Sequence, residues 1–196
     1  MRNSIYHPQW HYPTICTGTD EAEDHCGRAL GIQFSQENPD VLYVADCAHG
    51  LRTVNVKTGH THIVVPKRNS RSGNIHYCAN FVNDLVVLPN GSVLFTDSSK
   101  KFSRRDNRME ALECRGNGQL LQYNPTDDSV HVLVDGLHFP NGMCLSADGN
   151  SVLIVETTRA RILRWVHVQR MVVHSSLKYT ISRRLGNMHR VCSRLL

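Results

Sequence analysis

Phe81-Val82-Asn83-Asp84-Leu85-Val86-Val87-Leu88-Pro89-Asn90-Gly91-Ser92-Val93-Leu94-Phe95-Thr96-Asp97 decides the fold of this chain, because the phrase recurs. A second version reads Phe139-Pro140-Asn141-Gly142-Met143-Cys144-Leu145-Ser146-Ala147-Asp148-Gly149-Asn150-Ser151-Val152-Leu153-Ile154-Val155-Glu156. A looser one runs from Leu30-Gly31-Ile32-Gln33-Phe34 through the polar turn Glu37-Asn38-Pro39-Asp40 to Val41-Leu42-Tyr43-Val44-Ala45-Asp46. Each joins two short apolar runs through turn chemistry, and Asn90-Gly91 is a strong hairpin signal. The copies are spaced at roughly fifty to sixty residues, the period of stacked β units.

A second pair of runs follows each of the first two hairpins: Leu51 to Val56 with His62 to Val65, then Gln119 to Tyr123 with Val130 to Val134. Four short antiparallel strands per unit describe a propeller blade. In the third unit Ile162-Leu163-Arg164-Trp165 supplies a third strand, and there the pattern stops. The expected architecture is all-β: about three four-stranded blades of a partial β-propeller. The chain divides into an irregular lead-in over 1–26, blades over 27–165 and a basic tail over 166–196.

With 40% hydrophobic and 20% charged residues among 196, the chain can build a core and is not composed like a disordered one. Its net charge of +5 is local. Arg170, Lys178, Arg183, Arg184, Arg190 and Arg194 give the tail +6 with no acid, which leaves the other 165 residues at −1 and argues against a nucleic-acid surface on the blades. Val172, Val173, Leu177, Ile181 and Leu185 recur about every four residues, a spacing that permits an amphipathic helix able to lie on an anionic membrane. The seven cysteines are scattered, none in a Cys-x-x-Cys pair, so structural zinc is not expected and an odd count leaves a thiol over. Pro8, Pro13 and the acids Asp20, Glu21, Glu23 and Asp24 do not read as a signal peptide, and no apolar stretch reaches membrane-spanning length.

Between the hairpins of the middle unit lies the polar insertion Ser98 to Gly118, with Lys100, Lys101, Arg104, Arg105, Asp106 and Arg108. An excursion this long in a terse repeat points to function or mobility, and it is expected to lie over one face of the blades. Its opening, Asp97-Ser98-Ser99, reads as a turn closed by side chains. His60 and His62 share a strand face, where exposure is the ordinary outcome. Asn90-Gly91-Ser92 is a glycosylation sequon on a hairpin tip, and a tight turn explains the same residues without a sugar.

Phe81-Val82-Asn83-Asp84, Phe95-Thr96-Asp97-Ser98-Ser99 with Arg104-Arg105-Asp106, Gly118 to Tyr123, Phe139-Pro140-Asn141-Gly142 and Glu156 to Ile162 together resemble the strictosidine synthase-like family, most of all its animal branch. The resemblance runs from about Gly27 to Trp165 and implies a six-bladed propeller related to the paraoxonases and gluconolactonase-type enzymes. It implies an axial Ca2+ in members with esterase or lactonase activity, for which Asn83 and Asn141 correspond to part of the shell and Asp84 is a further candidate. An amide carbonyl is a hard neutral ligand suited to calcium. The family's acidic ligands come from blades before and after these, Leu30 stands at the matching place in the first unit, and the late glutamate of strictosidine synthesis has no counterpart. The implied function is a calcium-assisted hydrolase of small esters or lactones whose catalytic set is incomplete in this chain. The alternative is a non-catalytic propeller displaying loops at a membrane or outside the cell. For Asn83 and Asn141 the plainer expectation is that their amides satisfy backbone groups around the axis. Open blade edges are expected to favour self-association.

Overall fold

The computed structural model describes Cys16, residues 18–68 and 77–166, and the backbone of 175–177. Strands β1 (Ala29–Phe34), β2 (Val41–Asp46), β3 (Gly50–Asn55) and β4 (Thr61–Pro66) pair antiparallel in chain order as one sheet. The second sheet is β5 (Val82–Val87), β6 (Val93–Asp97), β7 (Gly118–Asn124) and β8 (Ser129–Leu137). The third is β9 (Pro140–Leu145), β10 (Ser151–Glu156), β11 (Arg161–Val166) and β12 (Ser175–Leu177). Three four-stranded blades are therefore present, as the repeated phrase predicts. The fourth strand of the last blade comes from the basic tail, where Ser175, Ser176 and Leu177 pair with Arg164, Leu163 and Ile162. Those three residues form a strand rather than the helix their apolar spacing permits, and the rest of the tail lies outside the described residues.

Turn residues set the register. At the β5–β6 hairpin Gly91 takes φ 82°, where a side chain is disfavoured, and its N–H bonds to the Leu88 carbonyl at 2.9 Å. The Asn90 side-chain Oδ1 accepts the Ser92 N–H at 3.1 Å, an Asx turn. In the first blade the Asn55 side chain caps the β3–β4 turn by accepting from Lys57 and Thr58 N–H.

The middle blade is buried on both faces, which is why Leu85 to Leu88 and Val93 to Phe95 are almost wholly apolar instead of alternating. One face carries Leu85, Val87, Phe95, Leu121 and Tyr123 against Tyr43, Ala45, Leu51 and Val65 of the first blade. The other sets Val86, Leu88, Leu94 and Leu120 against Met143, Val152, Ile154 and Leu163 of the third. Each fully buried aliphatic side chain contributes about 1.5–3 kcal/mol, so these two seams are the principal stabilising contacts.

A buried acid closes the same end of every blade. Asp46, Asp97 and Glu156 are the last residues of β2, β6 and β10 and are essentially inaccessible. Each accepts backbone N–H from the residue entering its own blade's innermost strand: Arg28 to Asp46 at 3.0 Å, Phe81 to Asp97 at 2.7 Å and His138 to Glu156 at 2.7 Å. The acids are thus latches that fix where β1, β5 and β9 begin.

At that end the lead-in finishes in one helical turn, α1 (Glu23–Cys26), stapled by a Cys16–Cys26 disulfide. The insertion forms a 3-10 turn over Arg104–Asp106 and helix α2 (Asn107–Glu113). Arg104 pairs with buried Glu23 and with Asp20, and Arg105 reaches Asp24 at 3.0 Å. Lead-in and insertion neutralise each other and form a strap. The turn at its start is closed by the Ser99 hydroxyl, which accepts from Lys101 and Phe102 N–H.

Candidate functional site

All three innermost strands carry a bulge at the same place. Val82 pairs with Asp97 and Leu85 with Phe95, so Asn83 and Asp84 together oppose Thr96. Pro140 pairs with Glu156 and Met143 with Ile154, which leaves Asn141 and Gly142 opposite Val155. In the first blade Ala29 pairs with Asp46 and Gly31 with Ala45, and Leu30 is the extra residue. Bulges re-aim side chains and recur beside functional sites. Here they single out the position occupied by Leu30, Asn83 and Asn141, each the second residue of its strand.

The two asparagines have matching environments. Asn83 is buried and donates its amide N–H to the Ser98 hydroxyl at 2.9 Å, while Asn141 donates to the Thr157 hydroxyl at 3.2 Å. Ser98 and Thr157 each follow the latch acid of their blade. With the nitrogens so held, the side-chain oxygens are the atoms left to accept, and among the described residues neither receives a hydrogen bond. Ser98 in turn donates to the Pro140 carbonyl at 2.6 Å, and Thr96 donates to the Asn141 carbonyl at 3.0 Å, so the second and third blades are joined directly beneath the pair.

Asp84 lies between all three blades. Its carboxylate accepts the Leu85 N–H at 2.9 Å and, across the seam, the Met143 N–H at 2.7 Å. A Cβ added at Gly31 would stand 2.3 Å from one carboxylate oxygen, and one added at Gly142 would stand 3.7 Å from the other. Glycine at the third position of β1 is what makes room for this acid, whereas at the equivalent Gly142 a side chain would meet it only at ordinary contact distance. Asp84 is a clamp by its contacts.

The first blade breaks the pattern with a hydrocarbon. Leu30 packs with Cys47, Phe81 and Phe139, the last two with ring centroids 6.0 Å apart. Burial, with Glu23 close by, pushes the Cys47 thiol up to about 12, so it is inert as a nucleophile.

The other candidates are dispersed. Asn90 is exposed at the opposite end of the second blade from Asn83, followed by buried Ser92. His60 and His62 are exposed at β4, and among the described residues no group of three or more His, Cys, Asp or Glu could hold a metal. Reading the sequence alone missed the latch role of Asp46, Asp97 and Glu156 and the anchoring hydroxyls of Ser98 and Thr157. The signal was available: every copy of the phrase ends on an acid, and two are followed by a hydroxyl residue.

Radially packed four-stranded antiparallel blades with inner-strand bulges define a propeller-type protein. Residues 83–169 match the family model described as strictosidine synthase, and the chain belongs to the strictosidine synthase-like family. Adipocyte plasma membrane-associated protein of Gallus gallus is 42% identical over 149 residues, covering 76% of this chain and 35% of that protein. Protein STRICTOSIDINE SYNTHASE-LIKE 13 of Arabidopsis thaliana is 34% identical over 169 residues, covering 83% of this chain and 40% of its own. The chain therefore spans somewhat over a third of these relatives. The solved structure of a gluconolactonase candidate superposes with a TM-score of 0.55 at 15% identity, over 74% of this chain and 47% of that one, and it shows the fold.

Proposed function

We propose that these blades are one arc of a calcium-assisted esterase or lactonase-type propeller acting on a small ester or lactone, with Asn83 and Asn141 giving the ion two neutral oxygens. The observation that carries the reading is the pair of amides at equivalent bulges of neighbouring blades, nitrogens tied to Ser98 and Thr157 and oxygens uncommitted. Calcium takes about 6–8 oxygens, so the remaining ligands belong to other blades of the ring or to water. When bound, the ion polarises the substrate carbonyl and favours the developing oxyanion. The chain's own residues do the positioning. Ser98 and Thr157 orient the amides, Asp84 fixes the blades at the separation that brings them together, and Leu30, Phe81 and Phe139 form an apolar cluster at the same end. The Cys16–Cys26 disulfide fits work in an oxidising compartment.

A second reading, a non-catalytic propeller that presents its strap and loops to a partner, is favoured by Leu30, which stands where a third ligand would sit. Phenyl acetate turnover separates the two. The hydrolase reading expects turnover that a calcium chelator abolishes and that Asn83→Ala lowers, together with a calcium-dependent rise in melting temperature lost in the same variant. Flat turnover with no calcium effect on melting removes it in favour of the partner-binding reading.

A further inference from the structure

Glu110 is a buried carboxylate that answers no cation. It is wholly inaccessible, and it accepts from the Ser99 hydroxyl at 2.6 Å and the Asn117 amide at 3.2 Å. Among the described residues it enters no ion pair, whereas the buried acids Glu23, Asp46 and Glu156 pair with Arg104, Arg52 and Arg161. The buried face of a helix ordinarily presents hydrocarbon, and an acid placed there is costly unless hydrogen bonds hold it. What a carboxylate supplies that hydrocarbon cannot is an acceptor with no hydrogen of its own. The Ser99 hydroxyl requires one. Its oxygen accepts from the Lys101 N–H at 3.1 Å and the Phe102 N–H at 2.9 Å, so its single hydrogen leaves toward a third group, and Glu110 is that group. Asn117 approaches from the other side with an N–H and gives a second one to Glu113 at 2.9 Å, so nothing that also donates fits between Ser99 and Asn117.

The neighbouring Ser98 hydroxyl has the complementary assignment. Its hydrogen goes to the Pro140 carbonyl at 2.6 Å, so its oxygen can only accept, and Asn83 presents nitrogen to it at 2.9 Å and keeps its oxygen for another partner. Ser98 and Ser99 are consecutive and both wholly buried, so a displacement of one carries the other. We infer that Glu110 is a positioning residue: by fixing Ser99 it holds the Ser98 hydroxyl in the orientation that leaves the Asn83 oxygen free for a cation. The positioning stands on the hydrogen bonds alone, while the cation rests on the calcium reading above. The inserted helix thereby joins the site, because α2 carries the acid that sets the amide. Groups lying behind a metal ligand typically change metal affinity about 10–100-fold when altered. Asn141, held by Thr157 in the third blade, lies outside this chain of bonds and provides an internal control.

Side-chain amide signals in NMR spectra of the full chain read the effect without metal. Glu110→Gln keeps the volume but sets an N–H against Asn117. It is expected to move the Asn83 side-chain amide signal toward its unstructured position and to quicken its exchange with water, while the Asn141 signal stays where it is. Ser99→Ala cuts the same link from its other end and should do the same, and the two changes combined should do no more than either alone. In calorimetric titration with calcium alone, binding by the parent should weaken about tenfold in Glu110→Gln. If the parent takes up no calcium, the hydrolase reading fails and the amide signals decide the positioning role by themselves. Equal movement of the Asn83 and Asn141 signals would show a general loosening of the blades and overturn the assignment. An Asn83 signal that Glu110→Gln leaves untouched, or a calcium affinity that it leaves unchanged in a parent that binds, would overturn it as well.

Discussion

Two latch acids with the same structural role hold their protons differently. Burial raises the Asp97 carboxyl to about 6 even though Phe81 and Asn80 donate to it. Burial opposes the Asp46 charge too, but the His49 hydrogen bond and the Arg28 and Ala48 N–H groups outweigh it and hold that carboxyl well below the usual range. The consequences for stability have opposite signs. Asp97, raised when folded, contributes stability that is present below its ordinary value and lost as pH rises through about 6. Asp46, depressed when folded, contributes stability that is present above its ordinary value and lost only in stronger acid. Asp97→Asn puts an amide donor against one of two backbone N–H groups and should cost about 1–3 kcal/mol. That deficit should widen as pH falls from about 7 to about 5, because only the parent gains from protonating Asp97. Thermal melts at several pH values check it, and a pH-independent deficit refutes it. His49 has the complementary behaviour: its hydrogen bond to Asp46 raises its proton affinity, so His49→Gln should cost more below the ordinary histidine value than well above its raised folded one.

Among the elements, the inner-strand bulge and the strap matter most. The bulge was partly legible: Val82 and Leu85 both face the first blade although three residues apart, a slip in the strand's period of two that needs an extra residue. Aligning the copies of the phrase also places Asn83, Asn141 and Leu30 at one position. What the sequence leaves out is which distant groups answer them. That Asp84 is met by the Met143 N–H and admitted by Gly31, or that Cys16 chooses Cys26 among seven cysteines, is fixed only by the folded register. The strap allows an internal comparison. Arg104 neutralises Glu23, which is 4% exposed, whereas Arg105 and Asp24 are 38% and 59% exposed. Arg104→Ala leaves buried Glu23 with the more distant Arg28, at 3.9 Å, as its charged partner and should cost about 3 kcal/mol, with hydrogen exchange accelerating over α1 and α2. Arg105→Ala should stay within about 1 kcal/mol, and equal effects of the two would show that the strap is held by something other than charge.

Across the whole molecule, the first blade's outer face repeats the chemistry of a seam. Ile32, the fourth residue of β1, corresponds to Leu85, the fourth of β5; on neighbouring strands Phe34 pairs with Leu42 and Ile32 with Val44. Leu85 is buried in the seam between blades, while Ile32 is 64% and Phe34 51% exposed. The blade was legible in the sequence because each one repeats the same apolar runs, and those runs are apolar on both faces whether or not a neighbour covers them. Position within the ring, which the repeat does not encode, decides what each residue is worth. Leu85→Ala should therefore cost about 2–5 kcal/mol, since it opens a cavity between two sheets, whereas Ile32→Ala removes a side chain that is mostly in water and should cost under about 1 kcal/mol. Urea unfolding of the two variants measures the difference directly. If Ile32→Ala proves as costly as Leu85→Ala, the outer face of the first blade is covered in solution, and the same measurement repeated on Ile32→Ala at several protein concentrations will show whether a second copy does the covering, because only then does its cost depend on concentration.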